Sequence, residues 1–516
     1  MSMQIKDRSK NRQLFINMMA SFMTFFVNLA IRFFLTPYIV EELGSEAYGF
    51  IGLAGNILSY TGLITIALNS MAGRFVTIEY QRGDIQRANQ YYASVFYSNL
   101  ILAAVILAFS IGCVLLLEYI INIPEHLIFD VKLLFAILAI NNIIGLITNI
   151  WGTATFIKNR LDLCNIRTII GQFMNAALLV CLFSLFAPQI WYMGLAGSVA
   201  TIYYFITNYK FTRILTPELR VKLRNFEWKK VWELVKSGVW NLIGKLGDVL
   251  AYGLDLLIAN LFLGPVLMGQ FALSKNVPSL IISFFGSISN VFNPVLTQMY
   301  AQGDIKGFLT ETNKTIRILG FFTCIPLVLL YVLGDDFYRL WLPSEDAELL
   351  QLITIVGSLE LIFSMPLESL WSIFTITNKL KVSTITILIN DILVILSVLV
   401  AMIITDDEFV RLMVLASTRS LIGIVRSLTF LPMYGANCLG LKKYAFFRPI
   451  IKSSICFVIS FFICFLLQRM VEISSWLLLI LLAFVLVLIC TLVSGVIILE
   501  KSDRIFIYEK FIKRKK

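Results

Sequence analysis

Ten charged side chains lie inside long apolar stretches of this sequence, where charge is costly. The five bases and five acids are Arg32, Lys245, Lys275, Arg419 and Arg426, with Asp248, Asp255, Glu360, Glu368 and Asp391. On insertion scales, each central charge facing lipid costs about 2.5–3.5 kcal/mol. We therefore expect these residues to pair with one another or to line a watered cavity, where the bases would bind an anionic head group. The acids predicted to take up a coupling proton or sodium ion are Asp248, Asp255, Glu360 and Asp391.

The spacing of these charges favours clustering. Lys245 and Asp248 are three residues apart, so they share one helical face. Glu360, Asp391 and Arg419 each fall near the middle of an apolar stretch. A structural alternative stays open, because equal numbers of bases and acids are also what a set of buried ion pairs requires.

The first half of the chain carries amides in place of charges. Asn28 and Asn56 are predicted substrate-binding residues, because amides hydrogen-bond the hydroxyl groups of sugars. The further amides of this half that could do the same are Asn69, Asn141, Asn142, Asn149 and Asn175. The same residues also suit hydrogen bonds between membrane helices. Only Arg32, of the ten buried charges, lies in this half.

These residues must be carried by a helical bundle in a membrane. The 516 residues are 58% hydrophobic and 15% charged, with a mean hydropathy of +0.83. Soluble domains have less apolar and more charged sequence, so a cytosolic enzyme, a disordered regulator and a disulfide-rich secreted module are excluded. We read about fourteen apolar stretches long enough to span a bilayer; the later ones include 237–262, 266–297, 319–334 and 349–376.

The basic residues orient the bundle. With an even number of spans, the segments on the side of the N-terminus hold 34 Lys and Arg, against four on the opposite side. The positive-inside rule then places both termini in the cytoplasm. We therefore interpret the net charge of +11 as a consequence of this topology, and not as a nucleic-acid site. The basic tail is expected to contact the head groups of membrane lipids.

An internal repeat organises the chain. At an offset of 220, Leu43-Gly44 matches Leu263-Gly264 and Gly83-Asp84-Ile85 matches Gly303-Asp304-Ile305; Asn159 matches Asn378 after one residue is lost. The offset covers six spans, which predicts two parallel six-helix lobes related by a pseudo-twofold axis. The predicted domains are a first lobe (1–210), an amphipathic cytoplasmic linker (211–236), a second lobe (237–440), two further helices (441–500) and a basic tail (501–516).

Residues for catalysis or metal binding are sparse. The single histidine, His126, is in a loop, and the eight cysteines form no Cys-x-x-Cys pair. The stretch from Gly238 to Lys245 resembles a phosphate-binding loop but has the wrong glycine spacing and lacks the final Ser or Thr. We expect no enzyme activity and no bound cofactor, with energy supplied by a proton or sodium gradient.

Short motifs carry a resemblance to a known group. They are Thr36-Pro37-Tyr38, Leu43-Gly44 followed by Gly49, Asn69-Ser70-Met71-Ala72-Gly73-Arg74, and Tyr80-Gln81-Arg82-Gly83-Asp84. Through them the chain resembles the multidrug/oligosaccharidyl-lipid/polysaccharide exporter superfamily, and within it the Wzx-type O-antigen and polysaccharide flippases. We interpret Arg74 and the two Gly-Asp loops as structural markers of helix ends.

The resemblance implies a flippase of a bacterial inner membrane. Its substrate would be an undecaprenyl-pyrophosphate-linked oligosaccharide, moved from the inner to the outer leaflet by alternating access. Arg32, Lys275 and Arg419 are then expected to contact the pyrophosphate or acidic sugars. A polysaccharide polymerase and a chain-length regulator are the implied protein partners. Two alternatives stay open: a cation antiporter of the multidrug type in the same superfamily, and a membrane glycosyltransferase or polymerase.

Overall fold

The computed structural model describes residues 10–289 and 292–500. Over these residues the secondary structure is helical and contains no strand, which confirms the all-α prediction. The basic tail at 501–516 lies outside the described residues. Helices satisfy every backbone hydrogen bond within one segment, which the hydrocarbon core of a membrane demands.

The chain forms two compact units, one ending at Gly269 and the other beginning at Gln270. The helices of the first unit are α1 (Lys10–Gln81), α2 (Ile85–Leu115), α3 (Leu117–Ile120), α4 (Ile128–Thr148), α5 (Thr153–Ile157), α6 (Leu161–Leu185), α7 (Tyr192–Leu215), α8 (Trp228–Tyr252) and most of α9 (Asp255–Ser274). The predicted domain boundaries, with a linker at 211–236, remain predictions.

The second unit begins with the end of α9. Its further helices are α10 (Asn276–Ser289), α11 (Asn293–Ala301), α12 (Ile305–Trp341), α13 (Ala347–Ser358), α14 (Leu361–Ser364), α15 (Trp371–Ile376), α16 (Leu380–Ile404), α17 (Glu408–Leu428), α18 (Phe430–Cys438), α19 (Phe447–Gln468) and α20 (Trp476–Ile497). Short 3-10 segments in the two units are Glu125–Leu127, Asn149–Gly152, Leu223–Asn225 and Glu368–Leu370.

The chain is a multi-pass membrane protein. In the described part, nine helices are long and apolar enough to cross a bilayer, with the kinked α1 counted once. Helix α1 covers the predicted spans at 14–38 and 47–71, and its backbone turns between them at Gly44, whose φ is 81°. The predicted total of fourteen spans remains a prediction.

The four predicted spans named above differ from the helices observed. The stretch at 237–262 is divided between α8 and α9, which are separated by Gly253 and Leu254. The short stretch at 319–334 is part of the 37-residue α12, which continues through Pro326. The stretch at 266–297 is interrupted at Lys275, and 349–376 is interrupted after α14. Pro278 and Pro366 follow these two interruptions closely; proline lacks the N–H that helix continuation requires.

The sequence repeat recurs in the backbone. Gly44 and Gly264 both have positive φ, at 81° and 83°, and Gly83 and Gly303 have 82° and 74°. More unusually, Asn159 and Asn378 have φ of 51° and 55°. Asparagine is one of the few residues with a Cβ that adopts this left-handed conformation at low cost. These matched positions therefore conserve a backbone shape that few other residues allow.

The two Gly-Asp loops are helix caps. Asp84 precedes α2 and its carboxylate accepts the Arg87 N–H at 2.9 Å, while Asp304 precedes α12 and accepts the Gly307 N–H at 2.8 Å. An N-cap carboxylate satisfies a backbone donor that has no partner inside the helix. The predicted structural role of both loops fits these contacts.

The segment before α8 is fastened to α2. The Gln90 amide donates to Glu227 at 2.5 Å, and the Tyr91 hydroxyl donates to Glu233 at 2.5 Å. The Tyr91 hydrogen bond, together with the nearby Lys230, lowers the pKa of Glu233 below its usual range. These contacts hold the start of α8 where the predicted amphipathic linker and the following span become one helix.

Helix α8 then packs closely along α1. The Tyr60 hydroxyl on α1 donates to the Gly253 carbonyl at 2.8 Å. A Cβ placed on Gly238 would overlap the carbonyl oxygen of Ala67 on α1, whereas one on Gly244 would meet nothing within 4 Å. The absence of a side chain at Gly238 is therefore what allows the two helices to approach.

We expect Gly238→Ala to lower the stability of the first unit, because the added methyl group forces α8 and α1 apart. Overpacking of this kind costs about 1–3 kcal/mol. Gly244→Ala is the matched control on the same helix and should leave stability unchanged or raise it. Unfolding of each purified variant in detergent, followed by circular dichroism, measures the difference; equal midpoints would contradict the close-packing argument.

Candidate functional site

The predicted substrate residues of the first unit lie on α1 and α8. Asn28 and Arg32 precede the Gly44 bend and Asn56 follows it. Arg32 is exposed, whereas Asn28, Asn56 and Lys245 are half-buried. These four residues remain predicted binding residues.

Asp248 and Asp255 are the predicted ion-coupling acids of this unit, and the structure describes the side chain of Asp255 only. The side chain of Asp248 lies outside the described part of the structure. Asp255 begins α9, where its carboxylate accepts the Leu256 N–H at 2.8 Å. This hydrogen bond gives Asp255 a role at the start of the helix; its predicted role in ion coupling is a separate proposal.

Lys275 occupies the interruption between α9 and α10 in the second unit. Its ammonium lies 5.2 Å from the centre of the Phe271 ring, within the range of a cation–π contact. Glu368 lies in a 3-10 segment of the same unit and is half-buried.

Four of the predicted charges in the second unit form two ion pairs. The Arg419 guanidinium on α17 lies 3.3 Å from the Asp391 carboxylate on α16. Asp391 is only 3% exposed, so its charge depends on such partners. The structure thus brings together two residues predicted from their depth alone.

The second ion pair joins Arg426 to Glu360 across 3.8 Å. The Arg426 guanidinium also lies 5.8 Å from the centre of the Trp371 ring. A Cβ at Gly423 would overlap the Glu360 carboxylate, so glycine makes room for the acid. Both pairs fit the structural alternative, in which the charges neutralise one another.

A polar cavity lies inside the first unit. Asn69, Asn141 and Asn149 of the amides considered above line it, whereas the predicted binding residues Asn28 and Asn56 do not. Its volume is about 590 Å³, in the range of small-molecule sites. The residues lining it are Asn69, Ser70, Ala72, Gly73, Arg74, Asn141, Gly145, Thr148, Asn149, Ile150, Gly152, Thr153, Phe156, Cys164, Arg167, Thr201, Tyr204 and Asn208. They come from α1, α4, α5, α6 and α7 and from the 3-10 segment Asn149–Gly152.

Arg167 is the most constrained cation of this cavity. Its guanidinium donates to the Asn208 side-chain oxygen and lies 5.1 Å from the centre of the Tyr204 ring. The Tyr204 ring is in turn fixed by the close approach of α7 to Gly171, where a Cβ would overlap it. The Nε atom of Arg167 is buried and has no hydrogen-bond partner in the described part of the chain.

Arg74 is the second cation, and its side chain is exposed on the cavity wall. Arg74 was interpreted as a marker of a helix end, and both arginines fall in predicted cytoplasmic segments between spans, at 72–91 and 157–167. Helix α1 in fact continues to Gln81 and α6 already begins at Leu161. Both arginines therefore project from helices. The repeat could have indicated where α6 begins. Asn159 matches Asn378, and a helix begins two residues after each of them.

The described residues contain no cluster of side chains suited to bind a metal ion. Across residues 10–289 and 292–500, no group of three or more His, Cys, Asp or Glu side chains is arranged to hold an ion. The cavity instead offers guanidinium, amide and hydroxyl groups, which suit polar organic ligands and anions.

Comparison with known proteins gives a consistent picture. A family model described as polysaccharide biosynthesis protein matches residues 43–345. The chain is 27% identical over 500 residues to the uncharacterized membrane protein EpsK of Bacillus subtilis strain 168, covering 97% of this chain and 98% of that protein.

Solved structures share the fold at low sequence identity. An inward-facing multidrug resistance MATE family transporter of the MOP superfamily matches with a TM-score of 0.69 and 12% identity, over 83% of this chain and 98% of that chain. The lipid II flippase MurJ in an inward closed conformation matches with a TM-score of 0.66 and 16% identity, over 93% of this chain and 99% of that chain.

The Asp391–Arg419 pair yields a stability test. Arg419→Gln removes the ion-pair partner of a buried carboxylate, and breaking a buried pair in this way costs about 3–5 kcal/mol. Asp391→Asn combined with Arg419→Gln should be more stable than Arg419→Gln alone, because no carboxylate is then left buried. Denaturant unfolding of the two single variants and the double variant measures the coupling; additive losses would contradict a direct pair.

Proposed function

Because the chain belongs to the polysaccharide biosynthesis protein family, we propose that it translocates a lipid-linked oligosaccharide across a bacterial inner membrane. This membership and the shared fold confirm the superfamily predicted from the sequence motifs. What we propose beyond the family is the substrate, its movement from the inner to the outer leaflet, and coupling to a proton or sodium gradient. The undecaprenyl-pyrophosphate carrier is the lipid that the sequence resemblance implies.

The polar cavity of the first unit carries this proposal. A helical membrane protein has little reason to keep about 590 Å³ lined by amides, hydroxyls and two arginines unless a polar group enters it. Sugar hydroxyls both donate and accept hydrogen bonds, as do the amides of Asn69, Asn141 and Asn149. The lining therefore suits an oligosaccharide head group.

Translocation of such a molecule separates its two ends. The isoprenoid chain is apolar and remains in the bilayer, while the sugars and the pyrophosphate pass through polar protein surface. We propose that the two halves alternate access to the two leaflets, as parallel repeats permit. In this proposal both termini lie in the cytoplasm, which the excess of basic residues on that side supports.

The chain as proposed acts as a transporter and not as an enzyme. An ion gradient would supply the energy, at about 2.3 kcal/mol for one charge moved across 100 mV. Among the predicted coupling acids, Glu360 and Asp391 have arginine partners, so protonation of either carboxylate would break an ion pair. Such a change could bias the helices that carry them, and this is the proposed link between the ion and the conformation.

Deletion of this chain in its native bacterium tests the function. Lipid-linked repeat units should accumulate on the inner leaflet and surface polysaccharide should be lost, because the polymer is assembled after translocation. Leaflet location is measured by protection of the glycan from an external glycosidase in sealed spheroplasts. Re-expression of the full chain should restore both properties.

Intact surface polysaccharide with changed sensitivity to cationic dyes would contradict the proposal and favour the cation antiporter. In the same strain, Arg32→Ala should reduce export at unchanged protein level. Arg224→Ala is a control at another exposed arginine, on the segment before α8. Equal export by the two variants would remove Arg32 from the predicted binding residues.

A further inference from the structure

We infer that the cavity of the first unit binds an acidic sugar of the transported glycan, with Arg74 and Arg167 holding its carboxylate. The inference rests on the proposed function and specifies which part of the substrate this cavity recognises. It concerns two residues that the sequence analysis did not assign to a site.

The charge of the cavity selects an anion. Its eighteen lining residues include two arginines and no aspartate or glutamate. The buried charges of the second unit differ, since Arg419 and Arg426 each face an acid. A cavity with two guanidinium groups and no carboxylate in its wall has a positive potential that attracts an anionic ligand and repels a cation.

Arg167 is held in one orientation before any ligand arrives. Asn208 accepts one of its N–H groups, the Cys164 sulfur lies 3.3 Å from another nitrogen, and the guanidinium carbon lies over the Tyr204 ring, 5.1 Å from its centre. The residue is half-buried and lines the cavity, so part of its side chain remains accessible to a ligand. A guanidinium fixed in this way loses little conformational entropy when it binds a carboxylate.

Arg74 supplies the second, more adaptable charge. It is exposed on the cavity wall, and the described residues give it no ion-pair partner. On the same lining, Asn149, Ser70 and Thr153 carry amide and hydroxyl oxygens that accept hydrogen bonds. The cavity thus offers donors for an anion beside acceptors for hydroxyl groups, and this combination complements the groups of a uronic acid.

The lining favours an acidic sugar over a bare diphosphate. Around the two arginines it continues with Ser70, Thr148, Thr153 and Thr201 and with amides, over about 590 Å³. A diphosphate has acceptor oxygens only and makes no use of acceptor groups in the wall. A pyranose ring carrying a carboxylate uses both kinds of group. We therefore assign the cavity to the sugar. Binding of pyrophosphate in its place is the alternative that the experiment tests.

Equilibrium binding to the full chain in lipid nanodiscs tests this assignment. The probes are methyl glucuronide, methyl glucoside, which lacks the carboxylate, and inorganic pyrophosphate. Wild-type protein should bind the glucuronide at least tenfold more tightly than the glucoside, because charge-assisted hydrogen bonds to the arginines form only with the acid. Arg167→Gln and Arg74→Gln should each reduce this preference severalfold.

Matched variants separate binding from folding. Arg213→Gln is on α7, like Asn208, but Arg213 contacts Tyr209 and is not part of the lining, so the preference should persist. Arg167→Lys keeps the charge and should retain part of the preference. Equal binding of the two sugars by wild type would overturn the inference. Pyrophosphate that displaces the glucuronide and binds more tightly, with the same arginine dependence, would also overturn it.

Transport in proteoliposomes distinguishes failure of this inference from failure of the proposed function. The substrates are a lipid-linked trisaccharide with a glucuronate and the same molecule with that carboxyl reduced. Faster movement of the acid by wild type, lost in Arg167→Gln, supports the inference. Equal movement of both overturns it and leaves the proposed function intact. Movement of neither contradicts the proposed function, while the binding preference still decides the inference.

Discussion

A charge inside a membrane must have a partner, and this constraint explains much of the structure. Hydrocarbon offers no hydrogen bonds, so the backbone is helical and each ionised side chain needs a counter-charge, an amide or water. The second unit meets the constraint with ion pairs, Asp391 with Arg419 and Glu360 with Arg426. Gly423 shows how far the packing adapts, because any side chain there would occupy the space of the Glu360 carboxylate.

The first unit meets the same constraint with amides around a cavity. Asn69 and Asn99 exchange hydrogen bonds of 2.9 and 3.0 Å, and Asn208 accepts from Arg167. These contacts use only part of the polar capacity of the lining, since Arg167 Nε and the Asn141 oxygen have no partner in the described structure. Buried polar groups left in this state are unfavourable unless water or a ligand completes them. Polar capacity that the protein does not satisfy itself is the physical basis of a binding site.

Sequence reasoning recovered the helical class and the repeat because both rest on strong local rules. Gly44, Gly83 and Asn159 and their repeat partners were recognised as identical letters, and all six hold positive φ. The amides Asn69, Asn141 and Asn149 of the cavity were considered from the sequence, but its two arginines were missed, because hydropathy marks the end of an apolar stretch and not the end of a helix. Arg74 and Arg167 were assigned to loops for that reason, although α1 and α6 extend past them. The interruption at Lys275 was missed because an apolar pattern continues through it.

The two halves repeat a backbone but not a chemistry. At the repeat offset, Arg74 and Arg167 correspond to Pro294 and Thr386, so the cations of the cavity have uncharged counterparts in the second half. Conversely, Asp391 corresponds to Gln172, so the acid of this ion pair has an uncharged counterpart in the first half. The Gly-Asp caps and the left-handed asparagines persisted because the helix ends depend on them. Other side chains differ between the halves, so the second unit contains the two ion pairs whereas the cavity lining of the first unit contains two arginines and no acid. A duplicated scaffold of this kind can assign binding of an anion and response to an ion to different copies of the same helix.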